Sequence, residues 1–205
     1  ITGIYANLPF KKLSSNLQIA GRYSYYQLME GLLKTKSNDK YFYPKYNFGD
    51  YNIKFNTHFN NNDQLQFSLL GSSDNYYESL AKEKDGYFHE VKISSKQTGG
   101  AFRYNRMWKK GGITSFQLSN SSYTTEYTAE SHFNTPFGSL SSDSVNNFIT
   151  KSALQMTHQF PASKWLNMLT GLAYIQNDYQ LSIKNDSLLL NQADNSLERL
   201  SSFVK

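Results

Sequence analysis

Apolar and polar residues alternate one by one over long stretches of this chain. Leu17, Ile19, Gly21 and Tyr23 fall on one side, with Asn16, Gln18, Ala20 and Arg22 on the other. Tyr51, Ile53, Phe55, Thr57 and Phe59 oppose Asn52, Lys54, Asn56 and His58; beyond Asn60–Asp63, Leu65, Phe67 and Leu69 oppose Gln64, Gln66 and Ser68. A repeat of two predicts β-strands with two unlike faces, because successive side chains point to opposite sides of the pleat. Phe102 and Tyr104 continue the pattern against Ala101, Arg103 and Asn105, and Phe116 and Leu118 against Ser115, Gln117 and Ser119. In Asn147–Phe160, Leu154, Met156 and Phe160 face away from Ala153, Gln155 and Gln159. Leu166–Ser182 is less regular, with Leu169, Leu172, Ala173, Tyr174 and Ile175 on both faces.

Breaks in this pattern come in two lengths that take turns. Short ones fall at Pro9–Ser14, Asn60–Asp63, Lys109–Gly112 and Pro161–Trp165, and long ones at Tyr25–Asn47, Glu78–Glu90, Asn134–Asn146 and Lys184–Glu198. That order puts every long loop on one edge of an up-and-down sheet, the arrangement of an outer-membrane β-barrel. The expected fold is all-β: an antiparallel up-and-down meander of about eight full strands plus partial segments at the ends. It forms one partial β-barrel domain over residues 1–205. Ile53, Phe55, Leu65, Phe67, Leu69, Leu154 and Met156 are the expected lipid-facing residues, and Trp108 and Trp165 lie beside short turns as an interfacial girdle requires. Tyr25–Leu33, with apolar residues at helical spacing, is the one helix candidate.

Composition agrees with a wall that meets lipid on one side and water on the other. Aromatic residues make up 16%, with 16 Tyr and 14 Phe, yet mean hydropathy is only -0.61. No run approaches the roughly 18 apolar residues that a membrane helix needs. There is no cysteine, hence no disulfide and no thiolate metal site. The net charge of +5 is spread thinly, with its largest clusters (Lys34, Lys36, Lys40 and Lys45; Lys82 and Lys84) in expected loops, unlike the dense basic stripe of a nucleic-acid surface. His58, His89, His132 and His158 show no ligand spacing, no Gly-x-Ser-x-Gly elbow occurs, and no glycine loop for phosphate is present. Glu126 with Glu130, and Asp74 with Glu78, flank expected strand-to-loop junctions, where solvated charges are ordinary. No enzyme, metal site or cofactor is therefore expected. Tyr41, Phe42, Tyr43, Tyr87 and Phe88 are the loop aromatics best placed to touch a ligand, while Tyr46, Tyr76 and Tyr77 suit the girdle.

The segment NLQIAGRYSYYQLM followed by YFYPKYNFGDYNIKFNTHFNNNDQLQFSLLGSSDNYY resembles the barrel of Bacteroidetes-type TonB-dependent outer-membrane receptors. The matching positions are Arg22, Ser24 and Tyr25, then Tyr46, Phe48, Asp50 and Lys54, then Gly71 and Asp74, with GGAFRYNRMW and FQLSNSSYTTEY similar in style. The resemblance implies a large barrel of about 22 strands with a plugged lumen. It implies import of a scarce nutrient across the outer membrane, with outer-membrane lipid, a TonB complex and an unknown small nutrient as partners. A plug and a TonB box do not precede Ile1, and the chain stops at Phe203-Val204-Lys205 without a terminal aromatic, so a piece of a longer receptor is expected. Two alternatives stand beside this. One is a complete eight-stranded outer-membrane barrel with an adhesive or structural role; the other is a soluble β-sheet binding module.

Overall fold

A computed structural model describes residues 2–24, 41–42, 45–82, 86–109, 111–133, 141–185 and 188–204. The strands are β1 (Thr2–Phe10), β2 (Ser15–Tyr23), β3 (Tyr41–Phe42), β4 (Lys45–His58), β5 (Asp63–Lys82), β6 (Tyr87–Met107), β7 (Ile113–Phe133), β8 (Ser141–Ser163), β9 (Leu166–Asn185) and β10 (Leu188–Val204). Nine of them form one sheet in the order β1-β2-β4-β5-β6-β7-β8-β9-β10, every pair antiparallel, and the two-residue β3 pairs with β5 beyond the end of β4. The expected meander is present, with nine strands in place of about eight, because both end segments are strands in their own right. Among the described residues β1 and β10 pair only with β2 and β9, so the sheet is open and a closed eight-stranded ring does not describe it.

The sheet is a single layer. No apolar side chain among the described residues is buried; the buried polar ones are Ser15, Ser24 and Asp63. The chain exposes 14672 Å², against about 9,800 Å² for a compact monomer of its mass. Among the described residues no second layer covers Phe67 (42% exposed), Leu154 (39%) or Met156 (50%), as the two-layer packing of a sandwich would.

Two of the expected long loops, Glu78–Glu90 and Lys184–Glu198, are largely strand, and strand enters a third, Asn134–Asn146, from Ser141 on. β5 continues to Lys82 and β6 begins at Tyr87; β7 runs to Phe133 and β8 begins at Ser141; β9 runs to Asn185 and β10 begins at Leu188. The Tyr/Ser/Asn-rich segments stay in the ladder because its hydrogen bonds are made by the backbone. The asymmetry legible as loop length is present as strand length. On β6 the apolar pair Phe102 and Tyr104 lies next to the short turn, while the strand extends from Thr98 back to Tyr87 on the other side. The helix candidate Tyr25–Leu33 falls outside the described residues.

The short-turn end is closed by local chemistry. Asn60 Oδ1 accepts hydrogen bonds from the backbone N–H groups of Asn62 and Asp63, both at 2.8 Å. Asp63 then accepts from Asn60 Nδ2 at 2.7 Å and from the Tyr104 hydroxyl at 2.6 Å. Gly111 takes φ +86 in the β6–β7 turn, a backbone region that favours glycine. Within the sheet, aromatic rings lie across glycines on the paired strand: Tyr23 over Gly49, Tyr51 over Gly71 and Phe203 over Gly171. A Cβ on Gly71 would sit 2.5 Å from Tyr51 Cε1.

Candidate functional site

Directly paired residues in an antiparallel ladder point to the same face, so the register assigns every side chain to one of two faces. The front face holds the row Leu8, Leu17, Phe55, Phe67, Phe102, Leu118, Leu154, Tyr174 and Leu200, one residue from each of the nine long strands. Neighbouring rows add Ile19, Ile53 and Leu69 on one side and Leu65, Tyr104, Phe116, Met156 and Leu172 on the other. The result is an apolar band across the whole sheet. Its upper limit descends along the row, from Tyr51 on β4 to Leu69 on β5 and Phe102 on β6. A level band on strands that tilt has this slanted outline. All seven of Ile53, Phe55, Leu65, Phe67, Leu69, Leu154 and Met156 share this front face.

At the short-turn edge of the band lies a belt of mixed character. The Arg106 guanidinium stands 5.0 Å from the Trp108 ring, Trp108 Nε1 donates to Thr114 Oγ1 at 2.8 Å, and Thr114 Oγ1 lies 2.8 Å from His158 Nδ1. Trp165 is almost fully exposed in the next turn. Away from the short turns, above the band, the front face turns polar: Lys92, Ser94, Lys96 and Glu90 on β6 pair with Thr128, Glu126, Thr124 and Glu130 on β7.

The back face is the reverse. At the height of the apolar band it carries the row Asn16, Asn56, Gln66, Arg103, Gln117 and Gln155. Four of these residues bond within the row: Asn56 Nδ2 donates to Asn16 Oδ1 at 3.0 Å, and Arg103 donates to Gln117 Oε1 through Nε (3.0 Å) and a terminal nitrogen (2.6 Å). Lys54, Lys151 and Arg199 lie in the rows just above.

Higher still, the back face becomes aromatic and acidic. Tyr46 pairs with Tyr76, Phe48 with Asp74, and Ile93 with Tyr127, while Gln97, Tyr123, Ile149 and Tyr179 form one row. Tyr46 packs on Phe48 at 5.7 Å between ring centres and its hydroxyl donates to Asp74 at 3.3 Å; the Tyr76 hydroxyl donates to Glu78. Arg22 donates to Asp50 at 2.5 Å and its guanidinium lies 5.9 Å from the Phe48 ring. Partial burial, and after it the Asp74 carboxylate, raises the Tyr46 hydroxyl above its ordinary pKa, which keeps it a donor. This tract of phenol rings and carboxylates is the best-developed candidate site on the chain. Among the described residues no group of three His, Asp or Glu side chains is placed to hold a metal ion.

Of the five loop aromatics singled out above, four fall on described strands, β3 and β6. Tyr87 and Phe88 are the first residues of β6 and point to opposite faces; the Phe88 ring lies 4.9 Å from that of His132, tilted by 33°, on the front. Tyr41 and Phe42 form β3, and Tyr43 falls outside the described residues. Sequence reading missed the tract around Tyr46, Tyr76, Tyr123 and Tyr127 as a unit. The signal available was the tyrosine parity on each segment, with Tyr123 and Tyr127 separated by an even number of residues.

No protein-family model and no curated protein sequence matches the chain. Its fold, however, is found in solved structures. It superposes on the ferric yersiniabactin uptake receptor FyuA from Yersinia pestis with a TM-score of 0.63 at 9% identity, over 98% of this chain and 33% of that one. On the ferric citrate transporter FecA in its unliganded form the TM-score is 0.53 at 4% identity, over 98% of this chain and 32% of that one. The chain therefore has the fold of part of such a receptor's barrel and spans about a third of the length of these proteins.

Proposed function

We propose that this chain is a segment of the barrel wall of a TonB-dependent receptor in an outer membrane, where the whole receptor imports a scarce nutrient. One observation carries the reading: a nine-strand apolar band on the front coincides in height with an amide and cation row, partly hydrogen-bonded, on the back, in a sheet with no buried apolar side chain among the described residues. Lipid on one side and a polar interior on the other satisfy both surfaces at once. The likeness to two receptor barrels supports it. Ile53, Phe55, Leu65, Phe67, Leu69, Leu154 and Met156 then face lipid, and the aromatic tract faces the interior above the bilayer, joined there by Tyr87. The nutrient enters from that end. Contact with a TonB complex belongs to parts of the receptor beyond this chain.

The absence of cysteine from the sequence makes the test direct. In an otherwise cysteine-free full-length receptor in vesicles, Phe67→Cys and Leu154→Cys carrying a fluorophore should be quenched by nitroxide lipids. Gln66→Cys and Gln155→Cys should instead react with membrane-impermeant maleimide supplied on the side that opens to the lumen. Quenching of the glutamine positions with aqueous labelling of the other two would overturn the assignment.

A further inference from the structure

The short turns carry a one-sided charge. In sequence, residues 10–16, 58–65, 106–114 and 160–168 hold Lys11, Lys12, Arg106, Lys109, Lys110 and Lys164 against the single acid Asp63. Asp63 is already engaged: it accepts from Tyr104 and Asn60, and the Arg106 guanidinium lies 3.5 Å away. Among the described residues no carboxylate pairs with Lys11, Lys12, Lys109 or Lys164. At one place this charge meets a second feature. A groove of about 550 Å³ opens on the front face between β2 and β6, with Phe55, Leu65, Phe67 and Phe102 along it and Lys12 and Phe59 lining its turn end. The four side chains along it belong to the apolar band. An apolar trough thus ends at an ammonium group with no carboxylate partner. Lys11 lines a separate hollow with Asn16 and Asn56, on the back face.

We propose that this groove docks a phospholipid with a net negative headgroup, its phosphate at Lys12 and one acyl chain along Phe55, Phe67 and Phe102. Resting on the receptor reading above, this names a lipid partner in the leaflet on the short-turn side. A lysine alone attracts any anion, and an apolar groove alone takes any acyl chain. Joined end to end, they select a molecule with a negative head and an apolar tail. A zwitterionic headgroup brings its own cation against Lys12 and gains less. Lys109 and Lys164, in the β6–β7 and β8–β9 turns of the same rim, raise the local concentration of anionic lipid from which the groove fills.

The test uses the full-length receptor, cysteine-free apart from Asn61→Cys, in phosphatidylcholine nanodiscs. A fluorophore on that cysteine sits in the β4–β5 turn beside the groove. The quenchers are phosphatidylglycerol and phosphatidylcholine, each with a nitroxide near the top of one acyl chain. Phosphatidylglycerol should quench at a mole fraction about fivefold or more below that of phosphatidylcholine. Lys12→Gln should remove about fivefold of that preference, the worth of one lysine at an anionic membrane surface. Lys12→Arg keeps the charge and should keep the preference, as should Lys54→Gln on the back face. Equal quenching by the two lipids would overturn the inference, as would a Lys12→Gln variant with the parent's preference. Loss of the preference in inorganic phosphate, but not in NaCl of equal ionic strength, would assign Lys12 to a free anion and overturn it too. Cysteine accessibility at Leu154 and Gln155 in the same nanodiscs separates the two ideas. A reversed labelling pattern sinks the receptor reading; a normal pattern with equal quenching sinks the phospholipid site alone.

Discussion

A single charge placed on the front face measures whether the apolar band meets lipid. Along β5, the front positions between the polar residues Asp63 and Ser73 are Leu65, Phe67, Leu69 and Gly71. That stretch is about 33 Å of strand, or about 25 Å of height at a tilt of ~40°, the height of a transmembrane barrel's apolar belt. Phe67 sits about 10 Å above the Asp63 level and about 15 Å below that of Ser73 by the same geometry. Leu65, Leu69, Phe55 and Phe102 surround it on the same face. An arginine side chain there falls short of either polar edge, so Phe67→Arg should cost about 2–4 kcal/mol. In the folded-to-unfolded ratio that is a fall of roughly 30- to 700-fold. Gln155→Arg, on the back face between Gln117 and Ala173, should stay within about 0.5 kcal/mol of the parent. Equilibrium urea unfolding of the receptor in short-chain lecithin vesicles, followed by tryptophan emission, reads both numbers. Equal costs for the two variants, or a cost for Phe67→Arg below about 0.5 kcal/mol, would refute the reasoning.

Other substitutions probe the wall at separate points. Gly71→Ala places a methyl 2.5 Å from the Tyr51 ring and should destabilise by about 1–3 kcal/mol; adding Tyr51→Ala should recover part of that loss in the same unfolding assay, and a purely additive double variant would contradict the ring-over-glycine contact. Asp63→Ala strips the Tyr104 hydroxyl and the Asn60 amide of their shared acceptor and should cost about 1–3 kcal/mol, read as a lower temperature for the heat-dependent mobility shift on gels. Gly111→Ala, at φ +86, should cost about 1 kcal/mol, whereas Gly112→Ala serves as a comparison whose φ is not positive.

How much of this was legible beforehand follows from what each strand segment faces. Where one side is apolar and the other polar, as in Leu65–Leu69 against Gln64–Ser68, alternation alone identifies strand and face. Higher up, the front carries Ser, Thr, Lys and Glu while the back carries Tyr, Ile and carboxylates, so the contrast in hydropathy fades although the ladder continues. Glu78–Glu90 therefore looks like loop, although β5 runs into it as far as Lys82 and β6 begins within it at Tyr87. The parity also inverts: on β5 the apolar residues Leu65, Phe67 and Leu69 are odd-numbered, and the aromatic back-face residue Tyr76 is even. The acidic pair Asp74 and Glu78 was visible as a spacing, but its tyrosine partner Tyr46 and the pair Arg22–Asp50 are joined only by register across strands. No periodicity within one segment encodes that.

Each strand of the meander pairs only with its neighbours in the chain, β3 beside β5 being the sole addition among the described residues. Closure of one hairpin at a time builds the whole ladder, with no strand required to wait for a distant partner, and the entropy of each closure grows slowly with the length of its connection. The same locality makes the hairpin a unit of change. A pair of strands gained or lost between two others alters the circumference of the wall and leaves every remaining register as it was, because no side chain within the sheet counts how many strands there are.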